Sequence, residues 1–142
     1  MLVLPMGLRL VIDTNVLVAA LLTPGRTPDR ALAAVFARGD AVLYDSRVEA
    51  EYRAVLARPK FRAIDPGRAD ALLAALLGGG EDLGSVDAWD GAMTDSDDRI
   101  FVEVALSGRA DAVVTGNARH YPTHLAFAVL SPAALLEKLA GY

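Results

Sequence analysis

The sequence predicts an α/β fold of three layers, α/β/α, built on a central parallel sheet of about five strands. Short apolar segments alternate with segments of helical period along the chain, which is the pattern of parallel strands joined by helices. The first apolar segment, residues 8–12, is interrupted only by Arg9, as expected for a strand that is covered on both faces. At 142 residues, we expect one domain that spans residues 1–142.

The strands are expected where apolar residues cluster in short runs bounded by turn residues. In chain order, these runs lie at residues 8–12, 41–44, 83–86, 112–114 and 127–130. A loop is expected at residues 87–94, and the polar residues 115–117 should form a turn after the fourth strand.

The helices are expected where apolar residues recur every three or four positions. In chain order, they lie at residues 15–22, 28–36, 46–58, 66–77 and 95–106, with a last helix from residue 132. Each has residues that favour a cap, a start or a stop, which are Thr14, Pro28, Gly39, Asp45, Ser46, Pro59, Pro66, Gly78, Gly108, Ser131 and Pro132.

Composition limits the chemistry that this chain can support. It contains no cysteine, which excludes disulfides and thiolate metal sites, and its histidines are His120 and His124 alone. Any metal would therefore be held mainly by oxygen ligands, which favours Mg²⁺ or Mn²⁺ over Zn²⁺.

Charge and hydropathy limit the location and the partners. Residues 1–5 are too short for a signal peptide, and the apolar stretch at 8–22 is interrupted by Arg9, Asp13 and Asn15, so we expect no membrane span and a cytoplasmic protein. The net charge of −4 argues against a broadly basic surface for nucleic acid, although a local basic patch would not show in that sum.

Asp13 stands directly after the first strand, where the chain turns into a helix. Ligands of open α/β sheets bind in the crevice at the carboxyl ends of the strands. A lone acid at this position is better explained as a helix cap or a turn residue, so a site here depends on partners from other segments.

Two later helices offer acidic partners on faces that turn toward the core. Asp98 shares a helix face with Phe101 and Val102, and Glu51 lies at the border of the apolar stripe of its own helix. The alternative is structural, because Asp95 and Asp98 also have the spacing of a capping box.

The fourth strand ends in Thr115, Gly116 and Asn117, at what should be the same sheet edge as Asp13. These residues are also ordinary turn formers. Clustered carboxylates raise one another's pKa unless a cation compensates them, so the combination predicts a divalent metal.

Three motifs follow one another along the chain: the strand that leads into Asp13, Thr14 and Asn15, then SRVEAEYRAVLARPKF with Ser46 and Glu51, then DSDDRIFVEVALSGRADAVVTGN with Asp95 and Asp98. In this order, they resemble the PIN domain, close to the toxin ribonucleases of bacterial type II toxin–antitoxin modules. The resemblance covers nearly the whole chain, from Leu8 to the last helix.

The resemblance implies a Mg²⁺- or Mn²⁺-dependent endoribonuclease that acts on single-stranded RNA, with a small antitoxin partner and a homodimeric state. Asp13, Glu51 and Asp98 match the three acidic positions of the family site. Asn117 stands where many members have a fourth acid, which leaves open a second metal and whether Asp95 compensates. The positions that match polar residues supporting the acids are Thr14, Asn15, Ser46 and Thr115.

The chemistry of the matched residues fits that role. A metal held by Asp13 and Asp98 would activate water and offset charge on the leaving oxygen, and Glu51 would orient or deprotonate that water. The candidates for contacts with the RNA backbone, each also explicable as a solvated surface charge, are Arg58, Lys60, Arg62 and Arg119.

Two other classes of protein compete with this interpretation. A receiver or phosphatase also uses an Asp after a strand, but Asn15 stands where a phosphatase needs a second Asp, and Ser131 and Pro132 follow the last strand where a receiver would have a lysine. The second class is a catalytically degenerate PIN domain that binds RNA or protein, which the departure at Asn117 keeps open.

Overall fold

The computed structural model describes residues 7–140 and confirms the predicted three-layer architecture. Residues 1–6 and 141–142, which include the stretch considered above as a signal peptide, lie outside the described residues. The central sheet has five parallel strands in the order β3-β2-β1-β4-β5. The strands are β1 (Arg9–Ile12), β2 (Ala41–Tyr44), β3 (Glu81–Asp82), β4 (Ala112–Val114) and β5 (Ala128–Leu130).

Within residues 7–140, six α-helices flank the sheet. They are α1 (Thr14–Leu22), α2 (Thr27–Arg38), α3 (Ser46–Leu56), α4 (Pro66–Gly78), α5 (Arg99–Ser107) and α6 (Pro132–Ala140). Short 3₁₀ helices lie at Pro59–Phe61, Ser96–Asp98 and Ala118–His120. The longest α-helix of this part of the chain is α4, with 13 residues, and no helix there is long and apolar enough to cross a membrane.

The strand order puts a topological switch point beside β1. From β1, the chain builds β2 and β3 on one side and then returns to build β4 and β5 on the other side. At such a point, the helices that follow neighbouring strands leave on opposite faces, which opens a crevice at the carboxyl ends of the strands. The residues that follow β1 and β4, Asp13 and Thr115, stand at this crevice.

The core lies on both faces of β1 and its neighbours. Leu10, Val11 and Ile12 are completely buried, as the apolar composition of this strand predicts. Helices α3 and α5 meet over the sheet, where the rings of Tyr52 and Phe101 stack with their centroids 6.4 Å apart. This contact fixes α3 relative to α5, which follows Asp98 directly.

The third strand is displaced from its predicted position. It occupies Glu81–Asp82 and not residues 83–86, because Gly80 lets the chain approach β2 so closely that a Cβ there would lie 2.5 Å from the Val42 carbonyl oxygen. Gly84, with a φ of +69°, then ends the extended segment. Leu83 and Val86 pack against the core from a loop instead.

Several helix and strand starts also differ from prediction, those of β1 and α2 by one residue. Asp13, and not Thr14, caps α1, because its side chain accepts the Asn15 amide while Thr14 already has its place inside the helix. The helix predicted from residue 95 begins as a 3₁₀ turn, and regular α5 starts only at Arg99. Strand β5 starts at Ala128, one residue later than predicted.

Candidate active site

Asp13 occupies the junction between β1 and α1. Its backbone N–H donates to the Val114 carbonyl at 2.9 Å, which continues the β1–β4 ladder by one bond and fixes the residue at the sheet edge. Its side chain is buried, with the residue only 3% exposed. Because the residue caps α1, the partial positive charge of the helix N-terminus favours its carboxylate.

The two carboxylate oxygens of Asp13 have different surroundings. Oδ2 accepts hydrogen bonds from the Thr115 hydroxyl at 2.9 Å and from the Tyr121 hydroxyl at 2.8 Å. Oδ1 accepts one longer bond, from the Asn15 N–H at 3.3 Å. Oδ1 is therefore the oxygen with more capacity left for a ligand.

One cleft of about 370 Å³ brings the predicted acids together. Asp13 comes from the end of β1, Glu51 from α3 and Asp98 from the residue before α5. Asp95 and Asn117 also line this cleft, and α1 adds an apolar wall that includes Val18 and Leu22. Four separate segments thus present oxygen atoms to a single opening.

The negative charges of the acids in this cleft repel one another. Burial, together with the negative charges of Asp13, Asp95, Asp97 and Glu51, raises the pKa of Asp98 to about 7. Burial also raises the pKa of Asp13, although its hydrogen bonds from Tyr121 and Thr115 offset part of this effect. No ion pair among the described residues neutralises any acid of the cleft.

The chemistry of the donor set fits a hard divalent cation. Within residues 7–140, no three Asp, Glu or His side chains form a ready-made cage for a metal ion. Mg²⁺ does not need such a cage, because it usually takes one or two carboxylates and fills its other positions with water or phosphate oxygens. Asp13 and Asp98 would supply the two carboxylates, and a cation between them would remove the repulsion that raises the pKa of Asp98.

Comparison with known families agrees with the fold and the cleft. The family model described as the PIN domain matches residues 9–119, which include every residue named in the cleft. The chain belongs to the PIN domain family. PIN domains form a superfamily of nucleases that are typically metal-dependent. No curated protein matches the sequence.

Thr115 is the centre of the polar network in this PIN domain. It is completely buried and donates to Asp13. Its hydroxyl oxygen accepts the Asn117 N–H at 3.1 Å and lies 3.4 Å from Asn15 Nδ2, while Asn15 Oδ1 accepts the Gly116 N–H at 2.9 Å. The segment after β4 is thereby joined to the start of α1, which holds Asn117 at the cleft.

Of the other two residues predicted to support the acids, one lines the cleft and one does not. Thr14 is buried and lines the cleft, but its Oγ1 has no hydrogen-bond partner among the described residues. Ser46 is exposed at the first position of α3 and does not line the cleft, because Asp45 takes the capping role by accepting the Arg47 and Val48 amides.

Of the two acids before α5, only one acts as a helix cap. Asp95 caps the 3₁₀ turn by accepting the Asp97 N–H at 3.0 Å. The Asp98 side chain makes no capping bond to α5, and its carboxylate accepts no hydrogen bond from any residue in the described range. The half-buried carboxylate of Asp98 is therefore free to serve a ligand.

The four predicted basic residues do not share one location. Arg58 lines the mouth of the acidic cleft, and Arg62 lines a second cavity beside it. The Lys60 ammonium lies 5.0 Å from the centroid of the Phe61 ring. Arg119 is exposed in a 3₁₀ turn and lines neither cavity.

Two tyrosines at the site were missed by sequence reasoning. Tyr121 reaches Asp13 from a loop, where a single aromatic residue has no periodicity that would predict its contact. Tyr52 lies on the buried face of α3, where its spacing predicts a core residue, but its hydroxyl also donates to the Ile12 carbonyl, one residue before Asp13. That bond ties α3, and with it Glu51, to the end of β1.

Proposed function

We propose that this PIN domain is a Mg²⁺- or Mn²⁺-dependent endoribonuclease that cleaves phosphodiester bonds of single-stranded RNA. The observation that carries the proposal is the convergence of Asp13, Glu51 and Asp98 in one cleft, where none of them forms an ion pair with another residue of the described range. Such a cleft repels a phosphodiester unless a cation is bound, so metal binding and RNA binding are coupled.

The acids divide between two roles in the proposed reaction. Asp13 and Asp98 would hold the metal, which would supply an activated water and offset negative charge on the leaving oxygen. Glu51, on the α3 side of the cleft, orients or deprotonates the attacking water. Arg58 at the cleft mouth contacts the phosphate backbone.

Cleavage of single-stranded RNA by the purified protein tests the proposal. We expect activity in Mg²⁺ or Mn²⁺, loss of activity in excess chelator and no recovery with Zn²⁺, because the donors are hard oxygens. Ca²⁺ should bind but support little turnover. Full activity in excess chelator would show that the metal requirement is wrong.

The rival function is a degenerate PIN domain that binds RNA or protein without cutting it. The observation that favours it is Asn117, which brings an amide to the cleft where a fourth acid would add charge. RNA binding without cleavage in Mg²⁺ and in Mn²⁺ would establish this rival.

We further propose that the protein is the toxin of a toxin–antitoxin pair, acts in the cytoplasm as a homodimer and is inhibited by a small antitoxin. The support is its membership of the PIN domain family together with the resemblance of its motifs to the toxin ribonucleases. Induced expression should arrest growth, the Asp98→Asn variant should not, and light scattering should give a dimer. Equal growth with both proteins would contradict the toxin role.

A further inference from the structure

A second cavity of about 460 Å³ lies beside the acidic cleft, between α3, the 3₁₀ turn at Pro59–Phe61 and α4. We call it the side cavity. Its volume is within the range of roughly 300–1,000 Å³ that is usual for sites of small organic ligands. The lining residues used below are Leu56, Arg58, Phe61, Arg62, Ile64 and Leu73.

The side cavity and the acidic cleft are neighbours that share two lining residues. Arg58 and Phe61 line both openings. A chain that passes from one opening to the other would therefore cross one guanidinium and one aromatic ring. This is the arrangement of single-strand binding sites, in which basic groups follow the backbone and aromatic rings stack on bases.

The charge of the side cavity is opposite to that of the cleft. Neither Arg58 nor Arg62 forms an ion pair with any described residue, whereas the third arginine of the lining, Arg53, pairs with Glu49 at 3.2 Å. Asp70 is the one acidic residue of the lining. In a protein of net charge −4, two unpaired arginines at one opening favour an anionic ligand there.

The floor of the side cavity is apolar. Ile64 and Leu73 are buried, and Leu56 and the half-buried Phe61 pack against the small apolar cluster that contains Ile64. A phosphate alone would gain nothing from this floor, and an apolar peptide would gain nothing from the unpaired arginines. A nucleotide has both an anionic phosphate and a flat base that stacks, so it matches both parts.

We infer that the side cavity is the subsite for a nucleotide that flanks the scissile phosphate of a single-stranded RNA. This inference rests on the proposed ribonuclease function. Arg58 and Arg62 contact the phosphates, and Phe61 with the apolar floor holds the base. The residues are positioning residues, because they act on a part of the substrate that does not react.

Equilibrium binding of a fluorescent single-stranded RNA, measured at a fixed Ca²⁺ concentration over a range of monovalent salt concentrations, tests the inference with little cleavage. Ca²⁺ is used because a bound cation relieves the repulsion between the acidic cleft and the RNA. We expect Arg58→Ala and Arg62→Ala each to reduce the slope of log K against log salt by about 0.7, the value for one phosphate contact on a single strand. Phe61→Leu should weaken binding about tenfold without changing the slope, which is the effect of a lost stack.

Arg30→Ala is the matched control, because Arg30 is an exposed arginine of α2 that lines neither opening. It should leave both the affinity and the slope unchanged. In Mg²⁺, Arg62→Ala and Phe61→Leu should raise KM for a longer RNA and leave kcat unchanged.

Two results would overturn the subsite. One is parental affinity and slope in all three side-cavity variants. The other is unchanged RNA binding together with a changed oligomeric state in light scattering, which would assign the cavity to a protein partner. A parent that binds RNA with the expected slopes but cuts none in Mg²⁺ or Mn²⁺ would refute the ribonuclease function and not the RNA contacts.

Discussion

At the scale of single residues, Tyr121 helps to fix the orientation of the Asp13 carboxylate. Its hydroxyl and that of Thr115 both donate to Oδ2, so the carboxylate is fixed and Oδ1 remains for a metal. Groups that orient a metal ligand in this way usually account for a factor of about 10–100 in metal affinity or activity.

We therefore expect Tyr121→Phe to raise the Mg²⁺ concentration for half-maximal RNA cleavage by about 10–100-fold. A Mg²⁺ titration of the cleavage rate measures the change, and isothermal titration of Mg²⁺ measures it independently of activity. Tyr44→Phe is the control, because Tyr44 donates to the Leu77 carbonyl away from the cleft. An unchanged Mg²⁺ response in Tyr121→Phe would contradict this role.

Asp98 should make the metal-free protein less stable as pH rises. Its folded pKa of about 7 lies above the ordinary value of 3.8, so the folded state binds more protons between these values. This extra proton on Asp98 stabilises the folded protein. The stabilisation is fully present below about pH 4 and is lost as pH rises through about 7. The Asp98→Asn variant has no carboxyl group at this position to titrate, so its stability should not decrease with pH for this reason.

We expect the melting temperature of Asp98→Asn minus that of the parent, both in chelator, to increase from pH 4 to pH 8. Saturating Mg²⁺ should stabilise the parent and reduce the difference at pH 8, because the cation replaces the proton. A difference that stays constant over this pH range would contradict the electrostatic description of the cleft.

At the scale of elements, an ion pair joins the two helical segments that carry acids of the cleft. Arg47 of α3 contacts Glu103 of α5 at 2.7 Å and Asp45 at 2.8 Å. Glu103 is buried and also accepts the Trp89 N–H at 2.9 Å, while the guanidinium of Arg99 lies 5.1 Å from the centroid of the Trp89 ring. The loop before Asp95 is thereby attached to α5.

We expect Arg47→Met to lower the free energy of unfolding by about 1–3 kcal/mol, because it removes a partner from the buried Glu103. Arg53→Met on the same helix is the control. It breaks an exposed ion pair with Glu49 and should change stability by less than about 1 kcal/mol. Urea denaturation compares them, and equal losses would show that the Arg47–Glu103 pair does not join the helices.

The elements also show what sequence could predict. Apolar strands such as Ala41–Tyr44 and helices with clear caps, such as the one from Pro66, were predicted within a residue or two because local chemistry determines them. The position of β3 was wrong because it depends on the close approach of Gly80 to β2, which is a tertiary contact. In the sequence, the three glycines at 78–80 predict the end of a helix and not the start of a strand.

The same distinction holds for the site. The acids and Thr115 were identified because each follows a strand or lies on a helix border, where spacing has meaning. The contacts of Tyr121 with Asp13 and of Arg47 with Glu103 join residues 108 and 56 positions apart, and nothing in the local sequence marks them. The roles of Asp13, Glu51 and Asp98 in catalysis remain predictions.

At the scale of the whole molecule, the strand order explains why distant residues form one cleft. The switch point places the ends of β1 and β4 side by side, while α3 and the segment before α5 approach the same edge. The molecule then has an acidic cleft next to a cavity with two unpaired arginines. This arrangement is compatible with the proposed function, in which a cation would occupy the cleft and the arginines would contact the phosphates of the RNA.

The paired behaviour of the parent and Asp98→Asn tests the proposed catalytic site most directly. Asp98 makes no capping bond, so the amide should leave the fold intact and the metal-free protein at least as stable, while it removes charge that holds the metal. RNA cleavage in Mg²⁺ and melting temperature in chelator are measured on the same preparations. We predict that the parent cuts RNA and that Asp98→Asn does not, although it melts at the parental temperature or above. Cleavage by Asp98→Asn at the parental rate would contradict the assignment of Asp98 to the metal and to catalysis.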